Sequence, residues 1–491
     1  MPLKFYNTLN RRSELFEPLD APKVNMYVCG ITPYDETHLG HGRAYVVFDI
    51  VRRYLEYSGF KVNYIQNITD IDDKIIKRAN ELKIPIQELT KKYIDSYFEV
   101  MDKLNVKKAT QYPKATEHIK EMVKVIEGLV KKGYAYVIGG PDSAKASSGR
   151  DVYFEVAKFK EYGKLSKRKL DDLKEGARVA IDERKKAPLD FALWKSAKEG
   201  EPIWDSPWGK GRPGWHIECS TMSLQEAKVD TLDIHGGGLD LIFPHHENEI
   251  AQAECYTGEP FAKYWIHNGF VTINHEKMSK SLGNFFTLRD IFKKYNPMLI
   301  RFYLLSTHYR SPINFSDADL ENAKGGLERI ANALSIVRAN ASCGKASASD
   351  NRIKSIKENF VKAMDNDFNT AEALGSVFKL CDLIFELNNE SNVTDNIWAQ
   401  VTGLFEELAV DVLGLNIQIG MVGPDDNTEI INDMLSDIND ARKVKDYQKA
   451  DKIKQALKGK GWEIEILPNN GFRYKKPGIY DGYMYFYPEG K

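Results

Sequence analysis

The chain has 491 residues, of which 42% are hydrophobic and 11% aromatic, with 69 Lys and Arg against 70 Asp and Glu. This apolar content excludes a disordered chain, and at roughly 150 residues per domain the length predicts about three domains. The formal net charge of −1 means that any nucleic-acid partner would need locally separated charge.

The short apolar runs disfavour a membrane protein, and the few, scattered cysteines disfavour a secreted protein. No run approaches the roughly 18 to 20 apolar residues that cross a bilayer, and the N-terminus lacks the apolar stretch of a signal peptide. We therefore expect a cytoplasmic protein without membrane contact. The cysteines are too few and too scattered for a disulfide framework, and they stand at Cys29, Cys219, Cys255, Cys343 and Cys381.

The first sixty-odd residues predict a β-α-β unit. Residues 24–29 are β-rich, apolar residues recur at helical spacing from Val47 to Leu55, and a second strand-like run spans 62–66. A unit of this kind opens a parallel nucleotide-binding sheet. Strand-like runs return at 264–267 and 270–273, so we predict a Rossmann-like parallel-sheet catalytic domain formed by residues 1–110 and 200–315.

The remaining segments predict three further modules, which makes the whole an α/β protein. A helical pattern at 81–104 still belongs to the catalytic domain, whereas a helical pattern at 115–131 and strand-like runs at 134–138 and 152–156 predict an inserted α+β domain over 110–200. An almost purely helical pattern predicts an α-helical bundle over 316–420. Charged helices followed by alternating Tyr483, Tyr485 and Tyr487 predict a small C-terminal α+β module over 425–491.

Two short motifs suit the binding of phosphates. His38-Leu39-Gly40-His41 follows the first predicted strand and opens the first long helix, whose free N–H groups and dipole favour anions. Lys277-Met278-Ser279-Lys280-Ser281 places two lysines in a Ser/Gly-bounded loop that can close over phosphates. Surface histidines near a turn and a solvated basic loop are the alternatives for each motif alone. Both motifs, in this order within one α/β domain, form a far more specific signal.

Together HLGH and KMSKS resemble the two signatures of class I aminoacyl-tRNA synthetases, with Leu39 in place of the usual Ile. The resemblance implies that ATP and an amino acid form an enzyme-bound aminoacyl-adenylate and pyrophosphate, after which the terminal ribose 2′-hydroxyl of a tRNA attacks. It implies catalytic roles for His38, His41, Lys277 and Lys280. The implied ligands of ATP, which arrives with Mg²⁺, are His38, Gly40, His41, Gly237, Asp240 and Lys280.

Four residues of the predicted catalytic domain offer a set of donors for a metal. On a helix beginning near Pro244, His245 and Glu249 are four residues apart and share a face, and Cys29 and Cys219 add two sulfur donors. Two thiolates, an imidazole and a carboxylate suit Zn²⁺. The chain has no short C-x-x-C spacing, so both cysteines could instead pack as small hydrophobes, and helix geometry alone does not exclude His246 as the ligand.

Longer strings resemble the cysteinyl-tRNA synthetase family over nearly the whole chain up to about residue 330: YVCGIT, NITDIDDKIIKRA, GRPGWHIECS, DIHGGG with DLIFPHHENE, and EKMSKSLGNFF. The resemblance implies one zinc ion held by Cys29, Cys219, His245 and Glu249, which binds the thiol of the substrate directly. It implies that Trp215 forms the pocket floor and that Thr69 lines the pocket, although both could be packed core residues. A metal–sulfur bond excludes serine far better than the roughly 10- to 200-fold of an apolar pocket.

Acidic and basic residues occupy separate stretches of the C-terminal segment. Residues 441–460 hold eight Lys and Arg and two Asp, whereas residues 421–440 hold six acids and no bases. An internally paired, solvated hairpin is one interpretation. The string ARKVKDYQKAD resembles the anticodon-binding helix of the family, with Arg442 and Asp451 at the positions that read the anticodon. A second basic run at 158–170 could meet the acceptor stem.

The hypothesis from the sequence is therefore a monomeric cysteine–tRNA ligase that uses ATP, L-cysteine and tRNA(Cys). The alternatives are a ligase joining cysteine to a small amine acceptor, a non-catalytic RNA-binding paralogue and a zinc-dependent hydrolase. The hydrolase is disfavoured because Ile250 stands where HExxH would place its second histidine.

Overall fold

The computed structural model describes residues 2–139, 150–168, 184–273, 276–277, 286–340, 350–390, 393–417, 427–466, 472–475 and 484–486. In chain order the strands are β1 Lys4–Asn7, β2 Arg12–Leu15, β3 Lys23–Ile31, β4 Lys61–Ile68, β5 Ala135–Ile138, β6 Asp151–Phe154, β7 Phe191–Ser196, β8 Gly211–Pro213, β9 Leu232–Gly238, β10 Ala262–Asn268, β11 Val271–Ile273, β12 Glu276–Lys277, β13 Ile313–Phe315, β14 Glu463–Ile466, β15 Phe472–Lys475 and β16 Met484–Phe486.

The α-helices are α1 Leu39–Tyr57, α2 Asp73–Leu82, α3 Ile86–Lys103, α4 Ile119–Lys131, α5 Trp215–Ala227, α6 Glu247–Thr257, α7 Leu288–Lys294, α8 Pro297–Leu305, α9 Asp317–Ala339, α10 Asn351–Asp365, α11 Thr370–Asn389, α12 Asp395–Phe405, α13 Asn427–Lys443 and α14 Tyr447–Gly459. A π-helical turn, Ile242–His246, leads into α6, and another, Glu406–Val412, continues α12. Among the described residues no helix has both the length and the apolar character to cross a membrane.

The predicted parallel sheet is confirmed. Its strand order is β10-β9-β3-β4, and every neighbouring pair is parallel. Strand β3 buries consecutive residues from Met26 to Cys29, as expected of a parallel strand covered on both faces. Helix α1 joins β3 to β4 and begins at Leu39, with His38 as its N-cap. The ends of β3 and β9 therefore face the start of α1, where ligands of open α/β sheets bind.

The helical pattern predicted over 81–104 forms parts of two helices. Helix α2 ends at Leu82, Lys83 takes a left-handed conformation with φ of 56°, and Pro85 caps the start of α3. Proline disfavours the helical conformation in the residue before it. The helical pattern over 81–104 is therefore present, divided between two helices.

A second sheet is antiparallel, with strand order β5-β6-β7-β8. Its last strand, Gly211–Pro213, pairs with β7 through Lys195 opposite Arg212. This strand lies beyond residue 200, where the sequence analysis places the end of the inserted domain. Three residues rich in Gly and Pro give no alternation from which a strand can be predicted.

Helix α1 is tied to the helical part of the chain by buried charges. The Asp49 carboxylate accepts hydrogen bonds from Arg53 Nε at 2.7 Å and from Arg301 Nη2 at 2.5 Å. Arg301 also donates to the carbonyls of Leu413 and Leu104. Burial alone would raise the pKa of Asp49, but the two guanidinium groups lower it. One hydrophobic cluster continues from α1 through α8 into α9 to α12, so this helix has little freedom to shift.

The C-terminal residues form a separate small core. Helices α13 and α14 pack on an antiparallel sheet of order β14-β15-β16, around Leu435, Leu457, Trp462 and Tyr474. The predicted antiparallel sheet is present, with Tyr485 in β16. Tyr483 and Tyr487 lie outside the described residues.

Replacing Asp49 by Asn should lower the free energy of unfolding by about 3–5 kcal/mol, because it leaves two guanidinium groups without their carboxylate in a region closed to water. Urea unfolding followed by circular dichroism measures the change. Asp102→Asn is the control, since Asp102 lies 4.0 Å from Lys108 with 56% of its side chain exposed, and we expect a loss below about 1 kcal/mol. Equal losses in the two variants would contradict the assignment.

Candidate active site

The candidate site lies at the carboxyl ends of β3 and β9, between α5 and α6. Strand β3 supplies Cys29 near its end, α5 supplies Cys219, and Glu249 occupies the first turn of α6. His245 lies in the π-helical turn before α6. Four segments that are distant in sequence thus direct their donors to one place.

The structure brings together all four residues predicted to bind a metal. One ligand atom from each of Cys29, Cys219, His245 and Glu249 lies within 4.8 Å of the others, and all four residues are buried. The two Sγ atoms are 4.0 Å apart, Cys29 Sγ is 3.4 Å from Glu249 Oε1, and His245 Nε2 is 2.6 Å from the same oxygen.

The electrostatics of this cluster favour a cation. Burial alone would raise the pKa of Glu249, but His235 and His245 hold it well below its usual range. Burial alone would lower the pKa of His245, yet Glu249 and Cys219 raise it to about 10. A hydrogen bond from Cys29 lowers the pKa of Cys219, while burial raises that of Cys29. The cluster therefore holds an ionised carboxylate beside a thiol that ionises readily, and this donor set fits a thiophilic divalent metal such as Zn²⁺.

Histidines that the sequence analysis did not assign surround this cluster. Cys29 Sγ lies 3.8 Å from His235 Nε2 and 3.4 Å from His246 Nε2, and Cys29, His235, His246 and Glu249 form a second group of donors within 4.8 Å. Nδ1 of His246 lies 2.8 Å from Nε2 of His267. Burial lowers the pKa of His246 well below its usual range and that of His267 to about 3, so these imidazoles are neutral. Such neighbours orient metal ligands.

One local signal could have identified a further histidine. His216 stands three residues before Cys219, so both lie on one face of α5. Its Nδ1 atom is 2.9 Å from Nδ1 of His245. His235, by contrast, reaches the cluster only through the pairing of β9 with β3, where it lies opposite Tyr27.

The two predicted substrate-lining residues stand on different segments near the cluster. The indole of Trp215 stacks on the His245 ring with centroids 4.3 Å apart, and 39% of Trp215 is exposed. Thr69 is buried. Its hydroxyl accepts a hydrogen bond from Asn67 Nδ2 at 3.1 Å. Burial raises the pKa of Glu218 well above its usual range, which makes this group neutral.

The HLGH motif forms the first turn of α1. Nδ1 of His38 accepts a hydrogen bond from the backbone N–H of His41, and the two rings stack with centroids 3.7 Å apart. Burial lowers the pKa of His41 well below its usual range. Gly40 lies in the same turn. The arrangement presents helix N–H groups and the neutral imidazole of His41, a suitable surface for phosphate oxygens.

The structure describes residues before and after the KMSKS loop. The backbone of Lys277 belongs to β12, which pairs with β11, whereas Lys280 lies outside the described residues. After the loop, the carbonyl of Phe286 accepts from Leu39 N at 3.3 Å, and Leu288 N donates to Thr37 O at 2.8 Å. The segment that follows KMSKS therefore lies directly against HLGH.

Gly237 and Asp240 lie at the end of β9 and in the turn after it. A Cβ atom on Gly237 would lie 2.9 Å from His246 Cε1 and from Leu241 Cδ1, so this position requires glycine. Asp240 is exposed.

Comparisons with known proteins agree with this arrangement. A family model described as "tRNA synthetases class I (C) catalytic domain" matches residues 15–325, and one described as "DALR domain" matches residues 359–418. Methionyl-tRNA synthetase of Mycobacterium tuberculosis, solved with methionyl-adenylate, has a TM-score of 0.57 at 14% identity, covering 84% of this chain and 94% of that one. LeuRS of Agrobacterium radiobacter K84, in a ternary complex with tRNA and LeuAMS, has a TM-score of 0.57 at 12% identity, covering 82% and 85%. These two likenesses show the fold.

The parallel sheet, the HLGH turn and the catalytic-domain match define a class I aminoacyl-tRNA synthetase. Relatives named cysteine–tRNA ligase from Heliobacterium modesticaldum and Carboxydothermus hydrogenoformans are 50% and 49% identical, over 97% and 96% of this chain and 100% of each relative. The chain belongs to the cysteine–tRNA ligase family.

Cobalt can test the donor cluster directly. We expect the purified protein to bind one Co²⁺ with thiolate-to-metal charge-transfer absorption. Cys219→Ser should weaken Co²⁺ binding by more than about 100-fold, because replacing even a residue that only orients a metal ligand lowers metal affinity about 10- to 100-fold. Cys255→Ser is the matched control, because Cys255 is also buried but does not belong to either donor group. Unchanged cobalt spectra in Cys219→Ser would remove that residue from the ligand set.

Proposed function

We propose that this protein activates L-cysteine with ATP to cysteinyl-adenylate and pyrophosphate, and then transfers cysteine to the terminal adenosine of tRNA(Cys). The observation that carries the proposal is the buried cluster of two thiols, an imidazole and a carboxylate beside the HLGH turn of a class I scaffold. Sulfur-rich donor sets select metals that prefer a further sulfur ligand, so the substrate of this pocket is a thiol.

Cys29, Cys219, His245 and Glu249 would hold one Zn²⁺ ion. When bound, the ion would supply a Lewis-acid contact that favours the substrate's thiolate over the neutral hydroxyl of serine. The chain's own part is to hold the four donors by burial and to supply neutral His216 and His246 as orienting neighbours. Trp215 would form the floor beneath the substrate, and Thr69 would line its side.

The HLGH turn and the KMSKS loop would handle the nucleotide. His38, Gly40 and His41 would bind the phosphates of Mg²⁺-ATP at the start of α1, with Gly237 and Asp240 on the adenosine side. Lys277 and Lys280 would approach from the loop and stabilise the charge that develops as pyrophosphate leaves. The pairing of residues 286–288 with residues 37–39 supports this role, because it brings the end of the loop to the first turn of α1.

Cysteine-dependent exchange of pyrophosphate into ATP tests the activation step. We expect exchange with cysteine, more than about 200-fold less exchange with serine, which exceeds what an apolar pocket provides, and loss of exchange after prolonged chelation with recovery on adding Zn²⁺. Absence of exchange with cysteine would contradict the proposal. Exchange without transfer of cysteine to tRNA would favour the ligase for a small amine acceptor.

The turn between α13 and α14 would bind the anticodon. Arg442 lies in the last turn of α13 and Asp451 in the second turn of α14. Between them Val444 and Tyr447 are 75% and 59% exposed. Unpaired RNA bases stack on aromatic side chains and hydrogen-bond through their edges, so a positively charged turn with exposed apolar residues suits a single-stranded loop. We expect the protein to do this as a monomer in the cytoplasm.

Arg442→Ala and Asp451→Asn should separate the two halves of the reaction. We expect pyrophosphate exchange to stay unchanged, while kcat/KM for tRNA aminoacylation falls about 5- to 150-fold, the equivalent of about 1–3 kcal/mol. Asp433→Asn is the control for Asp451→Asn, because Asp433 is exposed on α13, nine residues before Arg442. Equal aminoacylation by all three variants would place the anticodon elsewhere.

A further inference from the structure

The two walls of the candidate substrate pocket come from different parts of the chain and are joined by a buried arginine. Thr69 begins the loop from β4 to α2, whereas Trp215 begins α5, directly after β8. Arg212 lies in β8, three residues before Trp215, and only 4% of its side chain is exposed. Its Nη2 group pairs with Asp73, the first residue of α2. Its Nε group donates to Glu201 Oε2 at 3.0 Å.

Other contacts hold the same loop from the same side. Lys195, which pairs with Arg212 across β7 and β8, lies 2.6 Å from Asp73 Oδ2 through its Nζ atom. Within the loop, the Asp70 carboxylate accepts hydrogen bonds from the backbone N–H and the hydroxyl of Thr116, at 2.9 and 2.6 Å. The loop of residues 69–73 is thus anchored along its length to segments of the second sheet and its adjoining helix.

The wall that contains Thr69 is thus connected through Asp73 to the strand that leads into α5. Thr69 lies four residues before Asp73, and Trp215 lies three residues after Arg212. Breaking the contact between Arg212 and Asp73 would alter the separation of Thr69 and Trp215 without touching the metal ligands.

The contact between Asp73 and Arg212 affects the position of the loop more than the stability of the fold. The Asp73 side chain is 59% exposed, and exposed carboxylates contribute little to folding stability through ion pairs. Arg212 keeps Glu201, whose side chain is 12% exposed, as a second charge partner when Asp73 is replaced. A planar guanidinium group can hold two carboxylates in fixed directions, whereas a lysine ammonium group provides a single point charge.

We propose that Arg212, through its ion pair with Asp73, is a positioning residue that sets the separation of the Thr69 and Trp215 walls and so the affinity for the amino-acid substrate. The inference rests on the proposed function, because it takes cysteine as the occupant of this pocket. Neither Arg212 nor Asp73 touches the substrate; both act through the segments that they hold. Binding sites lose affinity or rate when supporting residues let their walls move by about 1 Å.

Cysteine-dependent pyrophosphate exchange with the full chain tests this inference. We expect Asp73→Asn to raise KM for cysteine about 10-fold, with kcat and KM for ATP changed less than about twofold. Arg212→Lys should raise KM for cysteine to a similar extent, because lysine cannot bridge Asp73 and Glu201. Asp73→Glu keeps the charge and should recover most of the affinity.

The controls distinguish a positioning role from a general one. Asp95→Asn removes an exposed carboxylate that pairs with Lys91 on α3 at 2.5 Å, and its KM for cysteine should be unchanged. The double variant Asp73→Asn with Arg212→Lys should raise KM for cysteine by clearly less than the product of the two single effects, because both changes break the contact between Arg212 and Asp73. Multiplied effects would overturn the inference, as would a parallel rise in KM for ATP or a fall in kcat alone.

Failure of the inference and failure of the proposed function give different results. If the wild-type chain shows no exchange with cysteine, the proposed function is wrong. If the wild type shows exchange and Asp73→Asn has an unchanged KM for cysteine, only the positioning role of Arg212 is wrong.

Discussion

The burial of an ionised carboxylate, Glu249, is the constraint on which the rest of the active site depends. A buried charge is strongly unfavourable unless it is paired and hydrogen-bonded. Here His245 and His235 lie 2.6 and 2.8 Å from its two oxygens, and two thiols lie in the same cluster. The two histidines approach both carboxylate oxygens, but the two ionisable sulfurs nearby leave the negative charge incompletely balanced. Under the proposed function a divalent cation would balance this charge at the place where a thiol substrate would be recognised.

The position of this charge follows from the sheet. Strands β3 and β9 are adjacent and parallel, so their carboxyl ends bring Cys29 close to the Gly-rich end of β9. Helix α1 leaves β3 and presents HLGH at its first turn, while its middle is held through Asp49 by Arg53 and Arg301. The nucleotide end and the amino-acid end of the site are therefore attached to one pair of strands. An adenylate-forming reaction requires this arrangement, because the carboxylate of one ligand must meet a phosphate of the other.

The sequence predicts those parts of this arrangement that local patterns determine. The β-α-β unit, HLGH at a helix start, and the shared face of His245 and Glu249 follow from periodicity and from four-residue spacing. The resemblance of longer strings brought Cys29 and Cys219 to the same site. His235 could not be assigned in this way, because it reaches Glu249 only through the register of β9 against β3. The pairing of Arg212 with Asp73 joins residues 139 positions apart, and β8 is too short to show a pattern of its own.

Recognition of a small thiol also explains why the pocket walls are tied so firmly. Cysteine offers few atoms, and an apolar pocket separates it from a similar side chain by only about 10- to 200-fold. Under the proposed function the larger share of selectivity would come from one metal–sulfur contact, whose strength depends on the distance and direction of the sulfur. The sulfur atom takes the required distance and direction only if the rest of the substrate is held at a fixed separation from the metal-binding residues. Trp215 begins α5 and stacks on His245, so the wall that it would form is attached to the helix that carries Cys219. Selecting an amino acid by a single sulfur atom would therefore require pocket walls that are rigid relative to the metal-binding residues.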